Sequence, residues 1–248
     1  MLIVNNVEKS YKTGGLISKK TQKILKGVSF DCQRGESLGI IGESGSGKST
    51  LGRLIVGIER PDAGTVLFEQ KNITDSSVRL GNISAVFQDY KSSINPFYTV
   101  EKAIMETLII QNKRRKEMQA KIDQLLIQVG LDTSYKTKYP HELSGGEVQR
   151  VCIARAIAAE PKCILFDEAI SSLDVSVQTQ VLDLLKELKK IYNISYIFIT
   201  HDIQAAAYIC DRVIIFRDGQ IEETADVHQL RHVQSAYAKK LLGAIITF

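Results

Sequence analysis

The sequence predicts an α/β fold in which helices cover both faces of a mainly parallel sheet, interrupted by an inserted helical segment. Three observations carry that expectation. In the last third of the chain, short apolar runs alternate with a stretch of helical periodicity. A glycine-rich loop joins one apolar run to a following helical stretch. Between Val100 and Gly130 glycine is absent and the pattern turns helical.

Taken in order, residues 2–7, 24–30, Ser37–Ile41, 65–68 and Ile83–Phe87 read as strands, separated by Gly, Asp and Asn breakers. Residues 14–23 are polar and read as a surface loop. Residues 50–56 read as a helix. Residues 100–159 form the inserted helical segment, with Ile104, Leu108 and Ile109 on one face and Ile122, Leu125, Leu126 and Val129 on another. Residues 162–166 are then a strand and 177–191 a helix, with Val177, Val181, Leu184, Leu185 and Leu188 at helical spacing. Ser195–Thr200 and 212–216 are strands, and Asp218-Gly219 makes a hairpin turn into 220–223. The tail, 226–248, reads as a docked helix that ends apolar at Ile245-Ile246-Thr247-Phe248.

Composition narrows the function classes. The chain has 248 residues, 44% hydrophobic and 24% charged, the balance of a globular protein with room for one large domain or two joined lobes. No run approaches the ~18 consecutive apolar residues of a membrane helix. The amino terminus lacks the charged-then-apolar layout of a secretory signal, so the chain is expected to stay in the cytoplasm. Cys32, Cys152, Cys163 and Cys210 form no Cys-x-x-Cys pair and are expected as buried, reduced thiols. A net charge of +4 makes no case for nucleic-acid binding, and Lys113-Arg114-Arg115-Lys116 is explained by a solvated helix face.

The loop Gly42-Glu43-Ser44-Gly45-Ser46-Gly47-Lys48-Ser49 fits G-x-x-x-x-G-K-S/T at every defined position, between a strand and a helix that opens at Thr50. Glycines let backbone N–H groups turn inward around phosphates, and the helix amino terminus adds positive charge. Lys48 then reaches the terminal phosphates and the Ser49 hydroxyl ligates Mg²⁺. Downstream, an apolar strand ends on Asp167-Glu168. Unpaired buried charge is costly, so adjacent carboxylates need a reason. Beside a phosphate loop, Asp167 would hold Mg²⁺ and Glu168 would polarise the attacking water; the alternative is a pair of helix-capping acids. In Leu143-Ser144-Gly145-Gly146-Glu147, Ser144 and Glu147 have the form of a capping box. Two glycines after a cap weaken a helix, which makes sense if something approaches that backbone closely. A bare helix start is a second phosphate-binding surface, and a dimer would use it by closing one chain's Ser144 over its partner's ATP.

Together these motifs resemble the ATP-binding subunits of ABC transporters over nearly the whole chain. Gln88 after Phe87, Ser172-Leu173-Asp174 and Thr200-His201-Asp202 follow in the family's order. The resemblance implies a P-loop NTPase (RecA-like) core with an antiparallel β-subdomain and an inserted helical subdomain. It divides the chain into a core lobe at 1–98 and 160–225, a helical lobe at 99–159 and a tail at 226–248. It further implies that Tyr11 stacks on adenine, that Gln88 senses Mg²⁺ and water at the hinge, and that Asp174 contacts the opposite subunit. His201 would contact the γ-phosphate. The cofactors implied are ATP and Mg²⁺.

The surroundings Tyr139-Pro140-His141-Glu142 and Ser92-Ser93-Ile94-Asn95-Pro96 are similar to those of peptide and nickel importers. Asp167-Glu168-Ala169, lacking a proline after the acids, is more similar to the nickel branch. The expected function is ATP hydrolysis energising import of nickel, cobalt or a metal–chelator complex, with peptide as the alternative cargo. Expected partners are a second ATPase subunit (a paralogue or another copy), two membrane-spanning permease subunits reached through residues 90–98, and an extracytoplasmic solute-binding protein. That places the chain peripherally on the cytoplasmic face of the membrane. A soluble ABC-type ATPase of DNA repair or ribosome function would carry coiled-coil insertions or tandem cassettes, and a small-molecule kinase would not explain residues 143–147 or His201.

Overall fold

The chain opens on two long paired strands, β1 (Leu2–Thr13) and β2 (Lys20–Cys32), then β3 (Ser37–Ile41), α1 (Lys48–Ile55), β4 (Ala63–Phe68), β5 (Lys71–Asn72) and α2 (Ser76–Arg79). The computed structural model describes residues 1–13, 20–89, 93–109 and 115–243. Next come β6 (Ile83–Phe87), α3 (Val100–Ile109), α4 (Arg115–Gln128), two 3₁₀ turns at Thr133–Thr137 and Pro140–Glu142, α5 (Gly145–Ala158), β7 (Cys163–Asp167) and α6 (Val175–Tyr192). The remainder is β8 (Ser195–Thr200), α7 (Ile203–Ile209), β9 (Arg212–Arg217), β10 (Gln220–Asp226), a 3₁₀ turn at Val227–His232 and α8 (Ala236–Gly243). Two units divide these elements: Met1–Leu80 with Ser195–Phe248, and Gly81–Ile194.

The first unit holds an antiparallel sheet, β2-β1-β4-β5, and a second sheet in which β3 lies parallel between β8 and β9. All five residues of β3 and all six of β8 are buried, as the sequence of a strand covered on both faces requires. The β9–β10 hairpin turns at Asp218 (φ 47°) and Gly219 (φ 80°), the positive pair that a tight two-residue hairpin needs.

In the second unit β6 and β7 pair in parallel, and α3 and α4 both pack on α5. The buried stripe of α3 is Val100, Ala103, Ile104 and Leu108. Ile109, expected on that face, is 57% exposed; it falls about 100° round the helix from Leu108. The face expected of α4 is buried as read, from Ile122 through Leu125 and Leu126 to Val129. The amphipathic helix α6 buries Val181, Leu184, Leu185 and Leu188 and ends on Asn193 in the left-handed conformation (φ 51°).

Strand edges moved more than strand identities. The expected loop at 14–23 gives up residues 20–23 to β2, where Lys23 pairs with Glu8 across the ribbon at 2.7 Å. Polar residues facing solvent on both strands hid that extension from an apolar-run reading. The rest of that loop, Lys113-Arg114 and the apolar end at 245–248 lie outside the described residues. All four cysteines are buried thiols. Among the described residues no helix is long and apolar enough to cross a membrane.

Candidate active site

In the first unit, the end of β3 at Ile41 lies opposite Thr200 of β8 and Ile215 of β9. Gly42 and His201 therefore leave neighbouring parallel strands at the same carboxyl edge, the side on which open α/β sheets bind ligands. Gly42 is there because nothing larger fits: an added Cβ would lie 2.1 Å from the carbonyl oxygen of Phe216. Gly47, at φ 106°, takes the left-handed turn that starts α1.

The loop's own chemistry suits a polyphosphate. The ammonium of Lys48, buried to 4% exposure, donates to the carbonyl oxygens of Gly42 (2.7 Å) and Glu43 (2.9 Å). The Ser46 hydroxyl is buried and has no hydrogen-bond partner among the described residues. No acidic residue sits in the first turn of α1 to offset its positive end. An anion on this loop would meet a cation, an orphaned hydroxyl and unopposed amides. His201 is exposed between β8 and α7, and Asp202 caps α7 by accepting the Ala205 N–H at 3.0 Å.

Sequence reading missed one support of the loop. The Glu43 N–H donates to the Tyr237 hydroxyl of α8 at 3.4 Å, and the Arg217 guanidinium lies 4.8 Å from the Tyr237 ring. The residues are 194 positions apart, so nothing local announces the contact.

In the second unit, Phe87 of β6 lies opposite Asp167 of β7, so Gln88 and the acidic pair emerge side by side. Asp167 is 6% exposed at the strand end. Glu168 turns out of the strand direction with φ 52°, a left-handed backbone that costs a non-glycine residue energy and recurs at functional sites. The following loop is pinned by the Ser171 hydroxyl donating to the Glu168 carbonyl and by the Gln178 amide donating to that of Ile170, both at 2.9 Å. Asp174 precedes α6 at the cap position, yet its side chain makes no cap hydrogen bond and is exposed.

The capping box at α5 is formed: the Ser144 N–H donates to Glu147 at 2.7 Å and the Glu147 N–H returns to Ser144 Oγ at 3.4 Å. The other Glu147 oxygen accepts the Tyr135 hydroxyl at 2.5 Å. That bond first, and the Ser144 N–H second, hold the Glu147 carboxyl below the usual carboxylate range. Gly146 also has a reason inside its own unit, since a Cβ there would lie 2.9 Å from Val177 Cγ1.

The same unit has a cleft of about 320 Å³ walled by β6, α3 and α5, with Phe87, Ser93, Thr107, Cys152 and Arg155 in its lining. Arg155 donates to the Ser93 carbonyl (2.6 Å) and to Glu106 (3.0 Å). Just outside it in sequence, Phe97 is 84% exposed. Residues 90–92 of the expected permease surface lie outside the described residues.

These features define a class, a phosphate-loop ATPase with a glycine-paired helix start. The sequence profile of the ABC transporter family matches residues 25–171. The metal-staphylopine import system ATP-binding protein CntF of Staphylococcus aureus is 50% identical over the full length of both chains. The oligopeptide transport ATP-binding protein AppF of Bacillus subtilis is 40% identical over 93% of this chain and 73% of its own. The dimeric ATP-binding cassette MJ0796, solved in a post-hydrolysis state with ADP and Pi, superposes with a TM-score of 0.82 at 30% identity, over 92% of this chain and 99% of that one. The chain belongs to the ABC transporter family and is an ATP-binding, ATP-hydrolysing subunit of the importer kind.

Proposed function

We propose that this ATPase drives uptake of a metal–chelator complex. The observation that carries the reading is the match to CntF, 50% identical with neither chain overhanging the other. The peptide reading stands second, supported by the 40% identity to AppF, which extends beyond this chain.

In the mechanism we propose, Lys48 and the amides of residues 43–50 neutralise the β- and γ-phosphates of ATP. Ser49, Gln88 and Asp167 offer a hydroxyl, an amide and a carboxylate, the hard oxygen donors that suit Mg²⁺. That ion, when bound, neutralises charge across the phosphate oxygens. Glu168 takes the proton of the attacking water, and His201 holds the γ-phosphate end. Tyr11 stacks on the adenine. Ser144, Gly145 and Gly146 of a second subunit, with Asp174, complete the wall, an arrangement supported by the dimeric state of MJ0796. The partner ATPase is a paralogue or a second copy.

Two permease subunits and an extracytoplasmic binding protein complete the system, with this chain on the cytoplasmic face. The cleft bounded by Phe87, Ser93 and Arg155 receives a permease segment and passes on the motion of the helical lobe, 99–159, about Gln88. Reconstitution with the permease subunits in proteoliposomes tests the cargo. A metal–chelator complex presented by the binding protein should raise ATP turnover several-fold, whereas oligopeptides should not. Stimulation by peptide alone would replace this reading with the second.

A further inference from the structure

Tyr11 does not stand alone. Its hydroxyl donates to Glu59 Oε2 at 2.5 Å, and Arg53 donates from Nε to Glu59 Oε1 at 2.5 Å. The second amino group of Arg53 reaches both the Tyr11 hydroxyl (3.3 Å) and Thr50 Oγ1 (3.2 Å). Thr50 directly follows the phosphate-loop residues Lys48 and Ser49. The end of α1 builds this arrangement, because after Gly57 (φ 68°) the N–H groups of Ile58 and Glu59 both return to the Arg53 carbonyl. Lys9 closes the cluster: its ammonium lies 3.8 Å from Glu59 and 5.6 Å from the centre of the Tyr11 ring. Burial works against the charge on Glu59, but the Tyr11 and Arg53 hydrogen bonds outweigh it and hold the carboxyl below its ordinary value.

We infer that Glu59 and Arg53 are positioning residues for the nucleobase, acting through the Tyr11 hydroxyl. The inference rests on the reading of Tyr11 as the residue that stacks on adenine. A stacking phenol gains most when its ring is already oriented before the base arrives, since ordering a mobile side chain on binding costs affinity. Here the hydroxyl is clamped by a carboxylate and a guanidinium, and that guanidinium is anchored to the helix that carries Lys48. The ring and the phosphate loop are thereby tied to one helix, so a base on the ring and phosphates on the loop would meet a single rigid platform. With Lys9 against one face of the ring, the other face is the one left for a flat base.

The test compares ATP with ribose 5′-triphosphate, which keeps the phosphates and lacks the base, on the full-length chain. Glu59→Ala and Tyr11→Phe should each weaken ATP about two- to tenfold, the cost of one newly ordered side chain. Neither should alter the affinity of the base-free triphosphate. The double variant should be no worse than either single one, because both remove the same hydrogen bond. Glu59→Gln keeps an acceptor oxygen and should recover most of the loss. In steady state the effect should appear in KM and not in kcat. Equal losses for both ligands, or none, overturn the positioning role. Tyr11→Ala separates the underlying reading: if it leaves the preference for ATP over ribose 5′-triphosphate unchanged, Tyr11 does not take the base at all. If only Tyr11→Ala shows a loss, the stacking stands and the positioning role falls.

Discussion

Gly42 and Phe216 meet so closely that a single added carbon on Gly42 would stand 2.1 Å from the Phe216 carbonyl oxygen. That oxygen belongs to β9, the parallel neighbour of β3 and the first strand of the hairpin at Asp218-Gly219, so it cannot yield without disturbing both pairings. Gly42→Ala should therefore destabilise the protein by about 1–3 kcal/mol, the usual cost of overpacking, and displace the phosphate loop. Urea unfolding and ATP titration on the same variant check both halves.

Glu168→Gln should bind ATP as tightly as the parent and hydrolyse it about 10²–10⁴-fold more slowly. The amide keeps the size of the side chain and its half-buried place after Asp167, but cannot accept the proton. Phosphate release measured beside nucleotide binding decides the matter; undiminished turnover would remove Glu168 from the role of base.

The cap on α5 should respond to acid. Tyr135 and Ser144 hold the Glu147 carboxyl below its ordinary value, so the folded state binds its proton less readily than the unfolded one. The resulting stability is fully present above the unfolded value of about 4.3 and disappears as pH falls through the lower folded value. Parent and Glu147→Gln should thus differ in melting temperature at pH 6, and thermal scans at successively lower pH should show the difference shrinking only below about pH 4.3.

Thiol reagents should find nothing to attack in the folded chain. Burial pushes the Cys152 thiol up to about 11, with the Ser93 hydroxyl and Arg155 opposing it weakly, and pushes Cys163 up to about 12. Both stay protonated near neutrality, and the nucleophile is the thiolate. Ellman's reagent at pH 8 should report all four cysteines only after denaturant is added.

Gly146→Ala should strain the contact with Val177, and Val177→Ala in the same chain should relieve it. Melting temperature then recovers in the double variant. If ATP turnover of the assembled transporter stays low, the glycine serves a close approach from outside as well.

Buried strands were the most legible part of the sequence. Ser37–Ile41 and Ser195–Thr200 are legible at their observed limits, because a strand covered on both faces is mostly apolar and breakers flank it, whereas the half-buried Ile83–Phe87 is legible from its flanking breakers. Exposed ribbon was not: β2 begins at Lys20, among polar residues whose pairing with β1 is set by partners such as Lys23 and Glu8. The site divides along the same line. Local signatures announced Gly42 to Ser49, the Ser144–Glu147 cap and the acids ending β7. Contacts that join distant segments left no local trace, including Tyr237 with Glu43 and Tyr11 with Glu59, 48 positions away.

The parallel seat of β3 also has a consequence in time. Its two neighbours, β8 and β9, come from residues Ser195–Thr200 and Arg212–Arg217, and α8 follows them. On a ribosome the loop after Ile41 is made long before either strand that fixes its edge. The segment Gly81–Ile194 is continuous and can collapse while the chain is still growing, as units generally do. The nucleotide loop must wait, its sheet closing only once the chain has emerged through Arg217, so the loop's shape is acquired later than that of the segment between.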